Sequence, residues 1–209
     1  LVGSEMCIRD RQEQPLTGEF CVFDTETTGL DPGVEYMTEI GGVIVKNGEV
    51  VEEFDTFVKP GKPITPKITE LTGITNEMVA DAPSEAEALQ AFLDFAGGRI
   101  LVAHNAHSFD IRFLRIAAKR SGISFEPTYI DTLTMAQAMY PGLHNYKQGT
   151  INKHLELPAY EAHRACEDAG ALGRIFCVML KDLEEKQVTA VSDCLLYTSP
   201  SPRDISGSR

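Results

Sequence analysis

Five side chains in this sequence have the types and spacing to hold a metal ion and move a proton. Asp24 and Glu26 stand two apart in Phe23-Asp24-Thr25-Glu26-Thr27-Thr28-Gly29-Leu30. On an extended strand, residues i and i+2 project from one face, so both carboxylates could share an ion. Asp110 sits where an apolar run has ended and a helical pattern begins. Asp168 falls in a long helical stretch, five residues after His163. Four carboxylates offer only hard oxygen ligands, a set suited to Mg²⁺ or Mn²⁺ and not to zinc. A histidine beside them could take a proton near neutral pH. Taken singly, each residue has a plainer reading. An Asp at a strand end is usually a cap or a solvated group, Asp110 alone would be an N-cap, and Asp131 is read as one.

The elements that must bring these residues together follow from hydrophobic pattern and punctuation. Phe20-Cys21-Val22-Phe23 reads as a buried strand running into Asp24. Thr38 to Lys46 and Val50 to Val58 are two β-branched-rich strands joined by Asn47-Gly48, a two-residue hairpin signal. Short helical turns are expected at Ile68–Leu71 and Asn76–Val79, on either side of Gly73. Ser84 would cap a helix whose apolar face is Ala88, Leu89, Phe92, Leu93 and Phe95, stopped by Gly97-Gly98. Ile100 to Ala103 reads as a strand, and Asp110 opens a helix that ends near Gly122. Tyr129-Ile130 is a brief strand before a helix capped by Asp131 or Thr132. The last and longest helix is placed from about Ala162 to Lys186. Three strands first, then strands alternating with helices, point to a mixed α/β sheet covered by helices.

The composition suits one soluble domain: 209 residues, 43% of them hydrophobic, with no internal repeat. No apolar run approaches the roughly 18–20 residues needed to span a bilayer, and no signal-peptide pattern opens the chain. The five cysteines form no C-x-x-C pair and read as isolated thiols. No membrane association and a cytoplasmic location are therefore expected. A net charge of −12 is the wrong sign for holding nucleic acid by long-range attraction. A carboxylate site that binds metal reverses that sign where a phosphate would sit. Between Arg99 and Arg174, the residues Arg112, Arg115, Lys119, Arg120, Lys147, Lys153 and Arg164 could form a local basic patch.

The ordered set resembles a known family. Phe23 to Leu30 resembles the first motif of the DnaQ-like DEDDh exonucleases, Val102-Ala103-His104-Asn105 through Phe109-Asp110 the second, and His163-Arg164-Ala165-Cys166-Glu167-Asp168 the third. The related DEDDy group carries Tyr four residues before its last Asp, where this chain has Arg164, so the histidine subtype is favoured. Glu70-Leu71-Thr72-Gly73-Ile74-Thr75, Ile130-Asp131-Thr132-Leu133 and Met179-Leu180-Lys181-Asp182-Leu183 look like the exonuclease segment of bacterial PolC-type polymerases. One departure stands out. The family's second motif reads His-Asn-Ala-x-Phe-Asp, whereas Ala106-His107-Ser108 here holds one residue more, expected to be absorbed in the loop before Asp110.

The resemblance implies a ribonuclease H-like fold with a mixed five-stranded sheet, its first three strands antiparallel, flanked by helices. It implies a 3′→5′ exonuclease that releases nucleoside 5′-monophosphates, using two divalent ions, Mg²⁺ or Mn²⁺, roughly 3.5–4 Å apart. Asp24 would bridge them, Glu26 and Asp168 would hold one, Asp110 would support the site, and His163 would be the general base. Thr27, Thr28, Gly29 and Leu30 would meet the terminal nucleotide, Leu30 as a wedge, with Phe109 as a stacking face. His104 reads as a structural hydrogen-bonder, and Lys147 and Arg164 as candidate phosphate contacts. The implied partners are a single-stranded or frayed DNA 3′ end and the remainder of a parent DNA polymerase, with proofreading as the role. The same motifs suit an exonuclease that trims RNA or degrades oligoribonucleotides. A silent nucleic-acid-binding scaffold would call for loss of one of the five residues, and all are present.

Both ends resemble translated sequencing-adapter DNA. Glu5-Met6-Cys7-Ile8-Arg9-Asp10 and Cys194-Leu195-Leu196-Tyr197-Thr198-Ser199 can be encoded by opposite strands of one adapter, read one base out of phase. Residues 1–11 and 194–209 are accordingly set aside as tails expected to be disordered, leaving 12–193 as the exonuclease domain.

Overall fold

Strand β1, Glu19–Thr27, carries Asp24 and Glu26 within its length. The computed structural model describes residues 14–188 and 190, and the adapter-like tails lie outside these residues. β1 pairs antiparallel with β2, Met37–Lys46, which pairs antiparallel with β3, Glu49–Phe57. Asn47 and Gly48 both take positive φ, 53° and 74°, as the tight turn between β2 and β3 requires. On the other side β1 runs parallel to β4, Ile100–Ala103, which runs parallel to β5, Tyr129–Asp131. The sheet order is β3-β2-β1-β4-β5. The expected mixed five-stranded sheet, antiparallel over its first three strands, is thus observed.

Six helices complete the described chain: α1 Pro66–Thr72, α2 Glu85–Ala96, α3 Asp110–Ser121, α4 Thr132–Met139, α5 Gln148–His154 and α6 Ala165–Glu185. Their ends follow from the local sequence. Ser84 and Glu87 form a reciprocal capping box at α2, and the Asp131 carboxylate accepts from Leu133 N–H at the start of α4. Gly73, Gly97 and Gly122 close α1, α2 and α3 in the left-handed conformation. Three expectations are corrected. Asn76–Val79 forms turns and no helix. α5 was not expected: it has only seven residues, with a Gly second, too short to show a helical period. α6 starts at Ala165 and not near Ala162, because His163 has φ 74° and stands outside any right-handed helix.

Alternation along β1 divides the core. Phe20 and Val22 face α6, packing with Leu172, Ile175 and Phe176, and the Phe20 and Phe176 rings meet edge to face at 5.1 Å. Cys21 and Phe23 face α2 and α3, with Leu89, Phe92, Phe113 and Leu114. Asp24 and Glu26 continue the first face, so both carboxylates emerge under α6, and Thr25 continues the second, toward α3. α6 reaches the sheet closely because of two glycines. A Cβ on Gly41 of β2 would lie 2.2 Å from the Ala165 carbonyl carbon, and one on Gly173 of α6 would lie 2.8 Å from Val43 Cγ2.

Candidate metal-dependent active site

At the carboxyl end of β1, oxygen atoms of Asp24, Glu26 and Asp168 lie within 4.8 Å of one another. It is the only such group of possible metal ligands among the described residues. Such crowding is costly without a counter-charge. Burial, then the neighbouring Asp110, Asp168, Glu26 and Glu39, hold the Asp24 carboxyl well above the usual range. Burial and the charges of Asp168 and Glu39 push Glu26 up to about 8. Burial also raises Asp168, against the bond it accepts from His163 N–H. The donor set, hard oxygens short of positive charge, fits a divalent cation of the Mg²⁺ type.

Asp110 stands beside this triangle rather than in it. The first residue of α3, it accepts from Thr25 N–H at 3.1 Å and Thr25 Oγ1 at 2.7 Å through one oxygen, which ties α3 to β1. Burial pushes its pKa up to about 7, against those bonds. The additional residue of the second motif is absorbed ahead of it. Asp131 accepts from the backbone N–H of Asn105 at 3.0 Å and of His107 at 3.2 Å, and His107 Nδ1 shares a 2.6 Å hydrogen bond with the Tyr129 hydroxyl. Asn105 takes φ 63° there. Asp131 therefore does more than cap α4: it fixes the loop that delivers Asp110.

His163 is exposed, on the loop before α6, and its backbone N–H donates to Asp168 Oδ2 at 2.7 Å. Tyr160 lies against Asp168 and Gln148, and burial, with Asp168 nearby, pushes its hydroxyl up to about 12. The turn after β1 is braced from within: Thr27 Oγ1 donates to Gly29 O at 2.6 Å, Thr28 Oγ1 donates to the Glu35 carboxylate, and Tyr36 N–H donates to Thr28 Oγ1. Leu30 projects from it, 84% exposed. Phe109 is half-buried against Phe113, with ring centroids 4.9 Å apart. His104 is structural as expected, its ring nitrogens bonded to Thr132 Oγ1 and Tyr146 O.

The basic residues require a correction. Arg164 is committed to Glu39: Nη2 lies 2.6 Å and Nε 3.1 Å from Oε1, with the guanidinium over the Phe57 ring. Arg99 and Arg120 are likewise paired, with Glu19 and Glu85. The expected basic patch is thus partly neutralised, and Arg164 is not a free phosphate contact. Glu39 itself escaped the reading of the sequence. It is fully buried opposite Glu26 in the β1–β2 pairing, and its Oε2 accepts from Ala165 N–H at 2.8 Å, satisfying the first turn of α6.

Fold and site together define a ribonuclease H-like α/β protein with a carboxylate centre for divalent metal. The family profile described as Exonuclease matches residues 21–176, and the chain belongs to that family. Over 186 residues it is 45% identical to a DNA polymerase III PolC-type of Caldanaerobacter subterraneus subsp. tengcongensis, covering 89% of this chain and 13% of that relative's length. Among solved structures it resembles exonuclease X in complex with 5′-overhanging duplex DNA, at 26% identity and a TM-score of 0.65, covering 84% of this chain and 98% of the other. The fold is also that of the nuclease domain of 3′hExo, a DEDDh family member bound to rAMP, at 22% identity and a TM-score of 0.70, covering 79% and 93%. Divalent-metal dependence, a property of this family, agrees with the carboxylate cluster.

Proposed function

We propose that this chain removes nucleoside 5′-monophosphates from DNA 3′ ends and serves as the proofreading domain of a PolC-type polymerase. The observation that carries the reading is the gathering of Asp24, Glu26 and Asp168 within 4.8 Å, in surroundings that disfavour their charge until a cation arrives. These three residues, with Asp110 beside them, would hold Mg²⁺ or Mn²⁺. Bound there, divalent ions supply an activated water and stabilisation for the departing 3′ oxygen. His163 takes the proton of the attacking water, and its backbone bond to Asp168 keeps it next to the carboxylates. The Thr27–Leu30 turn receives the terminal nucleotide, with Leu30 against the base and Phe109 as a second apolar face. DNA is favoured over RNA by the likeness to PolC-type polymerases, and a bacterial cytoplasmic setting goes with it.

The test is a gel assay of the chain on a 5′-labelled DNA primer with a mismatched 3′ end. Stepwise shortening is expected with Mg²⁺ or Mn²⁺, and loss of about 10³-fold or more with EDTA or in Asp168→Ala. A folded protein that leaves the primer intact with either metal would overturn the reading. Faster shortening of a matched RNA strand would reassign the substrate.

A further inference from the structure

A groove of about 420 Å³ opens at the carboxyl ends of β4 and β5, beside the carboxylates. His104, Asn105, Leu133, Tyr146, Lys147 and Gln148 contribute to its lining. Its walls are fixed. The His104 ring is bonded at both nitrogens, to Thr132 Oγ1 at 3.0 Å and Tyr146 O at 2.8 Å. Asn105 is held in the left-handed region by the bond from its N–H to Asp131. Gln148 joins the groove to the site directly, donating from Nε2 to the Asp168 main-chain oxygen at 2.8 Å. Lys147 is exposed and has no ion pair among the described residues, unlike Arg99, Arg120 and Arg164.

Strand order gives the groove its place along a substrate. The Thr27–Leu30 turn lies on the β2 side of β1, the carboxylates lie on β1 itself, and the groove lies on the β4–β5 side. A nucleic acid strand with its last nucleotide in the turn and its scissile phosphate at the carboxylates must leave across the carboxyl ends of β4 and β5. The volume falls at the low end of small-ligand sites, about 300–1,000 Å³, enough for one nucleotide unit. One cation, amide groups and two ring side chains suit a phosphate with its sugar and base.

We infer that this groove holds the nucleotide immediately 5′ to the scissile phosphate, with Lys147 against that nucleotide's own phosphate. The inference rests on the exonuclease reading and adds to it a second subsite and its positively charged contact.

Two substrates separate the subsites. The p-nitrophenyl ester of thymidine 5′-monophosphate carries a terminal nucleotide but places p-nitrophenol where the second nucleotide would be. A short oligothymidylate fills both. In Lys147→Gln of the 209-residue chain, kcat/KM for the oligonucleotide relative to that for the ester is expected to fall about fivefold, the loss of one exposed phosphate contact. Lys147→Glu should lower that ratio further. The dependence of log KM on log salt for the oligonucleotide should become shallower by about 0.7, the share of one phosphate on a single strand. A ratio equal to wild type in both variants overturns the inference, as does an equal loss on both substrates, which would place the lysine's effect in the chemistry or the fold. If the wild-type chain hydrolyses neither substrate, the exonuclease reading itself falls, and the groove assignment with it.

Discussion

Removing the Glu39 carboxylate would leave three donors without their acceptor: the Ala165 N–H, which is buried, and two guanidinium nitrogens of Arg164. Breaking a fully buried ion pair costs about 3–5 kcal/mol, but Arg164 is 40% exposed and would turn partly to water. Glu39→Ala is therefore expected to lose about 2 kcal/mol in urea unfolding, chiefly through the orphaned helix-start amide. Activity should fall more steeply than stability, because Arg164 and Ala165 directly follow His163 and set its position against Asp168. Equal activity in a folded Glu39→Ala chain would show that the start of α6 holds its geometry without this carboxylate. The residue was illegible in the sequence for a physical reason: its partners lie 125 and 126 positions away. Asp24 and Glu26 were legible because two residues on one strand face need no tertiary knowledge. Arg164 misled for the same reason that Glu39 was invisible, since the sequence does not tell which cation is spent on a buried anion.

At the scale of elements, the site depends on how closely α6 sits on β2. Gly41→Ala would place a methyl 2.2 Å from the Ala165 carbonyl carbon and 2.3 Å from Cys166 N, both backbone atoms that no rotamer change moves. The start of α6 must shift, and overpacking of this kind costs about 1–3 kcal/mol. Gly173→Ala meets only the Cγ2 methyl of Val43, at 2.8 Å, and should be the milder change in both thermal stability and primer shortening. The reverse order would show that the middle of α6, not its first turn, fixes the carboxylates. The helices around this contact were readable from their punctuation, as with Ser84, Asp131, Gly97 and Gly122. The start of α6 was not, because its cap is a carboxylate from another strand and the preceding His163 has a backbone angle that the sequence pattern does not disclose. α5 was missed because seven residues are too few for a period to emerge.

For the molecule as a whole, the carboxylate centre couples folding to both protons and metal. Folding raises Glu26 from its ordinary value of 4.5 to about 8, and Asp110 from 3.8 to about 7. Below the ordinary values both folded and unfolded chains hold these protons, and the two groups cost nothing. As pH rises, the unfolded chain releases its protons first while the folded chain retains them, so the proton-linked slope is negative and stability falls. The loss accumulates from about pH 4 until the folded groups ionise near pH 7–8. In EDTA, the melting temperature is thus expected to fall between pH 5 and 8 more steeply for the wild type than for Glu26→Gln, which no longer titrates at that position. The comparison with that variant cancels the other carboxylates, several of which titrate in the opposite sense, such as Glu19 and Glu87. Divalent ions bind the ionised carboxylates in competition with protons, so Mg²⁺ or Mn²⁺ should raise the melting temperature more at pH 8 than at pH 5.5. Scanning calorimetry with and without the ion at both pH values measures this directly. An ion-induced rise that is the same at the two pH values, or that survives intact in Glu26→Gln, would place the metal somewhere other than this carboxylate triangle.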